Sequence, residues 1–358
     1  MRVLAGTVTR VQLRKHGLVN QKEITMSSNL TQLRQVRQVL QAAALAWLAG
    51  VSAPAALAQE PYPNKPVRIV IGFGPGSGTD ILARMIGEEL RVALGQPFVV
   101  DNRPGAAAQI AAGFVAKAPA DGYTLFITSN SSHSVNPHIF KKLPYDPIAD
   151  FTPVGGLAYF PFVLAVNAAL PIRTPPEFVS YAHANKGKFF YAYGTPTVQI
   201  PAEALNKLLK LEATGVPYKS SPAALTDVIG GQAQYLVVDL ASARAHLQSG
   251  KLRALAVTTS KRTALAPELP TIEETLGLRD FDLAAWTGLF GPAGLPKDVT
   301  DKLSAALQQI MAKSAVIERL NAAGAEPTPS DAATFATLVK RQLELWGRKV
   351  KDAGILPE

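Results

Sequence analysis

Four short stretches carry residue types from which a small-molecule site can be built. The first is Gly74-Pro75-Gly76-Ser77-Gly78-Thr79-Asp80, between the apolar run Val67–Phe73 and an amphipathic pattern over Thr79–Leu94. The backbone N–H groups of Gly76–Thr79 then lie at a helix N-terminus, where donors lack intrahelical partners and the macrodipole is positive. Such an end takes phosphate, sulfate or carboxylate without any charged side chain. The same residues suit a plain tight turn equally well, its glycines supplying φ > 0 and Asp80 sitting favourably in the first helical turn. The second stretch, Thr128-Ser129-Asn130-Ser131-Ser132-His133, follows a third strand and offers small polar groups to a ligand or to the cap of the next helix. The third, Gly194-Thr195-Pro196-Thr197, follows a strand of a later block and can face the first across a cleft. The fourth is Asp239, directly after the strand residues Tyr235–Val238, suited to an amino or hydroxyl group or to the N-cap of helix 241–248.

Nucleotide chemistry does not fit the first stretch. A phosphate-binding P-loop needs a lysine and Ser/Thr after its last glycine, and here Thr79 and Asp80 follow Gly78 with no lysine before Lys117. Asp101 lies where a ribose-binding acid would sit, but the dinucleotide spacing fails at Ser77 when counted from Gly72 and at Thr79 when counted from Gly74. Catalytic constellations are thin. His133, His138, His183, His246 and His16 show no metal-type spacing with carboxylates, and no Gly-x-Ser-x-Gly elbow occurs. A secreted hydrolase on an α/β scaffold, with Ser129 as nucleophile, remains the alternative from the enzyme class. Without cysteine there is no thiol nucleophile, no Cys-based metal site and no disulfide.

The elements that must position these residues alternate. Strands Val67–Phe73, Pro97–Val100 and Tyr123–Thr128 interleave with helices Thr79–Leu94 and Ala106–Ala116, which implies a parallel, helix-covered sheet. Two extended stretches, Thr152–Tyr159 and Phe162–Val166, flank Pro161. A second alternating block follows, with helices 176–184, 202–210, 222–229 and 241–248 and strands 189–192, 214–217, 234–238 and 253–258. A further extended stretch, Leu283–Phe290, precedes three helices at Lys297–Ala312, Ala315–Ala323 and Asp331–Ala353, the last with Ser330 or a neighbour as N-cap. The expected architecture is two α/β lobes joined by two extended crossings with a ligand cleft between them. The first lobe takes residues 59–160 plus 285–358 and the second 161–284, the C-terminal helices covering the first.

Composition sets the compartment. Apolar content of 47% with 18% charged residues fits a folded chain with a sizeable core, and 358 residues allow about two domains. The net charge of +9 sits mostly in residues 1–58, which carry seven basic residues against one acid, so the nucleic-acid reading falls away with that segment. Arg34 and Arg37 precede the apolar run Val39–Leu57, which exits through Ala56-Leu57-Ala58. This is the pattern of a secretory signal peptide cleaved after Ala58, with Met26 an alternative start. Gln41, Gly50, Ser52 and Pro54 make the run a poor membrane span.

Several separated motifs, in order, resemble the extracytoplasmic solute receptors of tripartite tricarboxylate transport systems, the TctC-like or Bug proteins. They are YPNKPVRIVIGFGPGSGTDILAR at 62–84, LGQPFVVDNRPGAAAQIAAGFVAKAPADGYTL at 94–125, NPHIFKKLPYDPIADFTPV at 136–154, VPYKSSPAALTDVIGGQ at 216–232 and GKLRALAVTTSKRTALAPELPTIEE at 250–274. The resemblance implies a type II periplasmic binding protein with no enzymatic activity and no cofactor. It implies a monomer in the periplasm that holds a small carboxylate (a dicarboxylate, acidic amino acid or aromatic acid) and hands it to membrane components of a transporter. A receptor serving as the sensor subunit of a signalling partner is the variant of that reading. Carried over residue by residue, Phe73, Gly76, Ser77, Gly78, Thr79, Ser129 and Asn130 surround one ligand carboxylate, and Gly194, Thr195, Thr197 and Asp239 contact the ligand from the second lobe. Two departures stand out: Ser77 adds a hydroxyl where relatives carry glycine, and the loop Gly194–Pro201 lacks the family's usual histidine and gains prolines.

Overall fold

The computed structural model describes residues 36–41, 62–279 and 281–358. Met1–Glu60 form a unit of their own, in which α1 (36–41) is a short exposed helix. The expected cleavage point at Ala58 lies outside the described residues. No helix among the described residues is long and apolar enough to cross a membrane.

Strand β1 (Val67–Ile71) is apolar at four of five positions and pairs in parallel with β2 (Phe98–Asn102) and β3 (Thr124–Ser129). Between β1 and β2, helix α2 (Gly78–Leu94) buries Leu82, Ala83, Ile86 and Leu90, a helical-spacing stripe that seats it on the sheet. Gly95 ends it in the left-handed conformation. The helix expected over 106–116 exists only as α3 (Gln109–Ala116). Ala106, Ala107 and Ala108 before it hold positive φ of 45°, 54° and 68°, a strained run for residues bearing a Cβ.

The two expected crossing segments are one strand, β4 (Phe151–Asn167). Residues 151–161 pair antiparallel with β9 (Ala284–Pro292), and 162–167 pair with β7 (Tyr235–Asp239) and β8 (Leu252–Val257). Pro161 closes the first ladder opposite Ala284, and Phe162 opens the second opposite Asp239. A residue without an N–H is tolerated there because the strand changes partners at that point. Phe160 and Phe162 are both buried, tying one apolar core across the change.

Around this shared strand stand two lobes. In the first the strand order is β2-β1-β3-β9-β4, with β10 (Glu326–Ser330) on the far side of β4; in the second β4 is followed by β7, β5 (Phe190–Tyr193) and β6 (Thr214–Pro217), with β8 on the far side of β4. Strand β5 pairs in parallel with β6 and with β7. Helices α4 (Asn136–Ile139) and α5 (Pro175–Ala184) follow β3 and β4, and α6 (Pro196–Leu209), α7 (Ser221–Ile229) and α8 (Leu240–Gln248) alternate with the strands after them. Helix α6 starts six residues before the expected position because Pro196 takes the first helical turn, where no N–H partner is needed. A short α9 (Ile272–Leu276), closed by a Thr271/Glu274 capping box, precedes β9. Of the C-terminal helices, α10 (Lys297–Met311) packs on α2 and β4, with α11 (Ser314–Ala322) beside β10. Helix α12 (Ala332–Ala353), capped by Asp331, packs on β4 but also reaches α6, where Lys207 Nζ donates to the Asp352 carbonyl at 2.7 Å.

Candidate functional site

Up to Ser77 and at Asp80, the glycine-rich turn is bonded within its own lobe. Gly76 is left-handed at φ +80°, Ser77 N-caps α2 by accepting from the Asp80 N–H at 3.2 Å, and the Ser77 N–H returns to the Gly74 carbonyl. The Gly76 N–H donates to Asp80 Oδ2 at 2.9 Å. Asp80 is buried and also accepts from Asn102 Nδ2 at 2.9 Å and from Arg84, while Asn102 reaches the Phe73 carbonyl at 3.1 Å. Burial pushes the Asp80 carboxyl up, but the bonds from Arg84, Asn102 and Gly76 outweigh it and hold the group below its ordinary range.

At the end of β3 the chain enters a five-residue π turn, wider than an α-helix, Ser131–Val135. Asn130 is fully buried: its Oδ1 accepts from the Trp286 N–H at 2.7 Å and its Nδ2 donates to the Ala284 carbonyl at 3.3 Å, clamping β3 to β9. Ser131 Oγ and Thr197 Oγ1, one from each lobe, are hydrogen-bonded at 2.6 Å. His133 lies among Phe126, Phe151, Trp286 and Phe290, its ring stacked 4.2 Å from that of Phe290. Burial lowers its pKa to about 3, so it is neutral. Its Nδ1 bonds Ser132 Oγ at 2.9 Å rather than Ser129, so the hydrolase alternative finds no base at Ser129 here.

The second lobe contributes helix starts. Thr195 N-caps α6, Ser220 and Ser221 begin α7, and Asp239 N-caps α8 by accepting from the Ser242 N–H at 2.8 Å and from Ser242 Oγ at 2.9 Å. Ser242 Oγ in turn accepts from the Gly78 N–H at 3.0 Å, a direct bond between the lobes. Desolvation holds the Asp239 carboxyl above its ordinary range, against the lowering effect of the Ser242 bonds. A Cβ on Gly194 would fall 2.2 Å from the Ser220–Ser221 backbone, so this position packs loop against loop.

Two cavities lie between the lobes. The smaller, about 30 Å³, brings together Phe73, Ser77, Gly78, Thr79, Ser129, Thr195, Thr197 and Asp239. Gly76 and Asn130 lie outside its lining, one engaged with Asp80 and the other with β9, and Gly194 lines the larger cavity of about 430 Å³. Ser221, Phe160 and Ala285 complete the smaller wall. Sequence reasoning passed over them, although Ser220-Ser221 ends the β6 segment at the same carboxyl edge as the other loops. That edge is the place where open α/β sheets bind ligands.

The N-termini of α2, α6, α7 and α8 all meet the smaller cavity through Gly78, Thr195, Ser221 and Asp239. Ser77 and Asp239 cap α2 and α8, whereas α6 and α7 carry no side-chain cap bond. Four positive helix ends and six hydroxyls line the smaller cavity beside one carboxyl, Asp239, and no basic side chain, an arrangement that can take an anionic group through helix ends and hydroxyl donors. Among the described residues no cluster of His, Asp and Glu could hold a metal ion.

Comparison with known proteins agrees with the architecture. The model of the tripartite tricarboxylate transporter family receptor matches residues 82–355. A UPF0065 protein of Bordetella bronchiseptica is 36% identical over 312 residues, covering 87% of this chain and 92% of its own. Among solved structures, an R. palustris protein with adipate superposes with a TM-score of 0.81 at 34% identity, over 83% of this chain and all of that one. The periplasmic binding protein BugD gives 0.79 at 30% identity, again over 83% of this chain and all of its own. The chain belongs to the TctC/Bug family of tripartite tricarboxylate transporter receptors, two-lobed solute-binding proteins and not enzymes.

Proposed function

We propose that this protein is a periplasmic receptor that captures a small carboxylate between its lobes and delivers it to the membrane components of a tripartite tricarboxylate-type transporter. The observation that carries the reading is the convergence of four helix N-termini and six hydroxyls on one small cavity without a basic residue. A carboxylate is stabilised there by backbone dipoles and hydroxyl donors. The adipate-bound relative supports the class of ligand. The lobes are taken as 62–160 with 285–358 and as 161–284, the chain changing lobe at Pro161 and again near Ala284. The leader through Ala58 carries the chain to the periplasm, where it acts as a monomer.

A thermal-shift screen of the chain from Gln59 onward against carboxylic acids tests this directly. At least one acid should raise the melting temperature and be recovered chemically unchanged by mass spectrometry. Turnover of the stabilising compound, or stabilisation by cations and sugars but by no acid, would overturn the reading.

A further inference from the structure

Helix α12 turns one face to the protein and the other to solvent. Phe335, Val339, Gln342, Trp346, Val350 and Ala353 are buried at helical spacing. The opposite stripe carries Lys340, Arg341, Arg348 and Lys351, all exposed, with Glu344 among them and Asp352 at the edge. At the rise of an α-helix, Lys340 to Lys351 covers about 16 Å along the axis. Cations on other helices are matched: Arg84 with Asp80 and Arg91 with Glu88 on α2, Lys297 with Asp301 on α10, and Lys313 and Arg319 with Glu89 at α11. Among the described residues none of the four on α12 forms an ion pair, although Glu344 stands four residues from both Lys340 and Arg348.

Two bonds bring more positive charge to the C-terminal end of this face. Lys207 Nζ donates to the Asp352 carbonyl at 2.7 Å, and the Lys141 N–H donates to the Glu358 carbonyl at 2.9 Å, with Lys142 beside it in the chain. These three lysines are exposed, as is Glu358. Seven cations thus gather against three carboxylates, while residues 59–358 as a whole keep only a small positive balance. The face is one convex helix whose cations stand on long stems. It fits an extended negative surface with mobile charges better than a single shaped acid.

We infer that the α12 face is a docking surface for an anionic bilayer, held by electrostatic attraction to phospholipid headgroups. Because α12 packs on the shared strand β4 and reaches α6, a bilayer bound there lies beside elements of both lobes. Each cation close to such a surface raises affinity roughly fivefold, and salt screens the attraction over about 10 Å at 0.1 M. The inference does not depend on which ligand the cleft holds.

Co-sedimentation with vesicles tests it, using the chain from Gln59 onward, which lacks the seven leader cations and retains the compact unit Pro61–Glu358. At low salt the protein should bind vesicles of equal parts phosphatidylglycerol and phosphatidylcholine at least about tenfold more tightly than phosphatidylcholine alone, and lose the preference as sodium chloride approaches about 0.3 M. Arg341→Gln/Arg348→Gln should weaken that binding by about 10- to 30-fold, with an unchanged melting curve verifying the fold. Arg91→Gln/Arg262→Gln makes the same change in net charge at sites paired with Glu88 and Glu274, and should cost less than about threefold. Equal binding to the two vesicles, binding to neither, or unchanged affinity in the folded α12 variant would overturn the inference. An equal loss in the two double variants would overturn it as well, because net charge and not this face would then govern binding.

Discussion

Asp80 and Asp239 belong to opposite walls of the cleft, and their surroundings drive them in opposite directions. Asp80, in the first lobe, is buried among three sets of donors, all from that lobe, and is held below the ordinary carboxylate range. Asp239, in the second, is held above that range because desolvation outweighs the one helix end it caps. Every donor to Asp80 thus comes from its own lobe. The second wall takes part of its order from the first, through the Gly78–Ser242–Asp239 chain that crosses between them.

The largest effect is expected where the two walls come closest. A Cβ on Gly78 would lie 2.4 Å from Asp239 Oδ1 and 3.1 Å from the Phe160 ring. Gly78→Val should weaken carboxylate binding by about 10- to 100-fold, the scale of overpacking a tight contact. Calorimetry beside a melting curve separates this loss from unfolding; unchanged affinity would mean that the turn has no part in closure.

The two carboxylates offer the next contrast. Asp80→Asn should destabilise the protein by about 1–2 kcal/mol, a charged hydrogen-bond network discounted for the half-exposed Arg84. Because the folded-state pKa of Asp80 is lowered, its contribution is complete above the unfolded value of 3.8 and is lost as pH falls through the folded value. Asp239 runs the other way: its folded pKa is raised, so stability is greatest with the group protonated, below 3.8, and declines as pH rises through the folded value. Asp239→Asn keeps an N-cap of equal quality and should remove that decline. Urea denaturation of both variants between pH 3 and 7 should give difference curves of opposite slope, and parallel curves would erase the distinction between the walls. The smallest effect is expected for Ser242→Ala, which removes the bond between the lobes at Gly78 and should lower stability by about 1 kcal/mol in the same assay.

The first wall was also the more legible in the sequence. A strand, a glycine turn and an amphipathic helix are local signals, and the chain from Val67 to Leu94 folds as they indicate. What the turn does with its donors was not local. Asn102, from the next strand, is needed to see that Asp80 engages Gly76 and leaves it no role in the cavity wall. In the second lobe, Ser221 lines the site and Ser242 bonds Gly78. Their place, after a strand's carboxyl end and three residues past an N-cap, was the one signal that could have found them. Proline misleads at one point: Pro161 suggests a break where β4 continues. No element is expected from sequence over Glu326–Ser330, which pairs with β4 as β10 with Pro327 opposite Ala158. Pro161 is tolerated where β4 changes ladder partners. Ala106–Ala108 gave helical propensity with no hint of left-handed geometry, which the fold imposes from outside.

Strand β4 has a consequence for what the transporter would read. The lobes share one backbone, bonded into a sheet on either side of Pro161, and Phe160 and Phe162 are buried at its two flanks. Like two covers bound to a single spine, they would pivot about that line rather than slide along it. A change in how far the covers stand apart would then alter the outer surfaces of both lobes together, so that occupancy of the cleft would be displayed as a posture of the whole receptor.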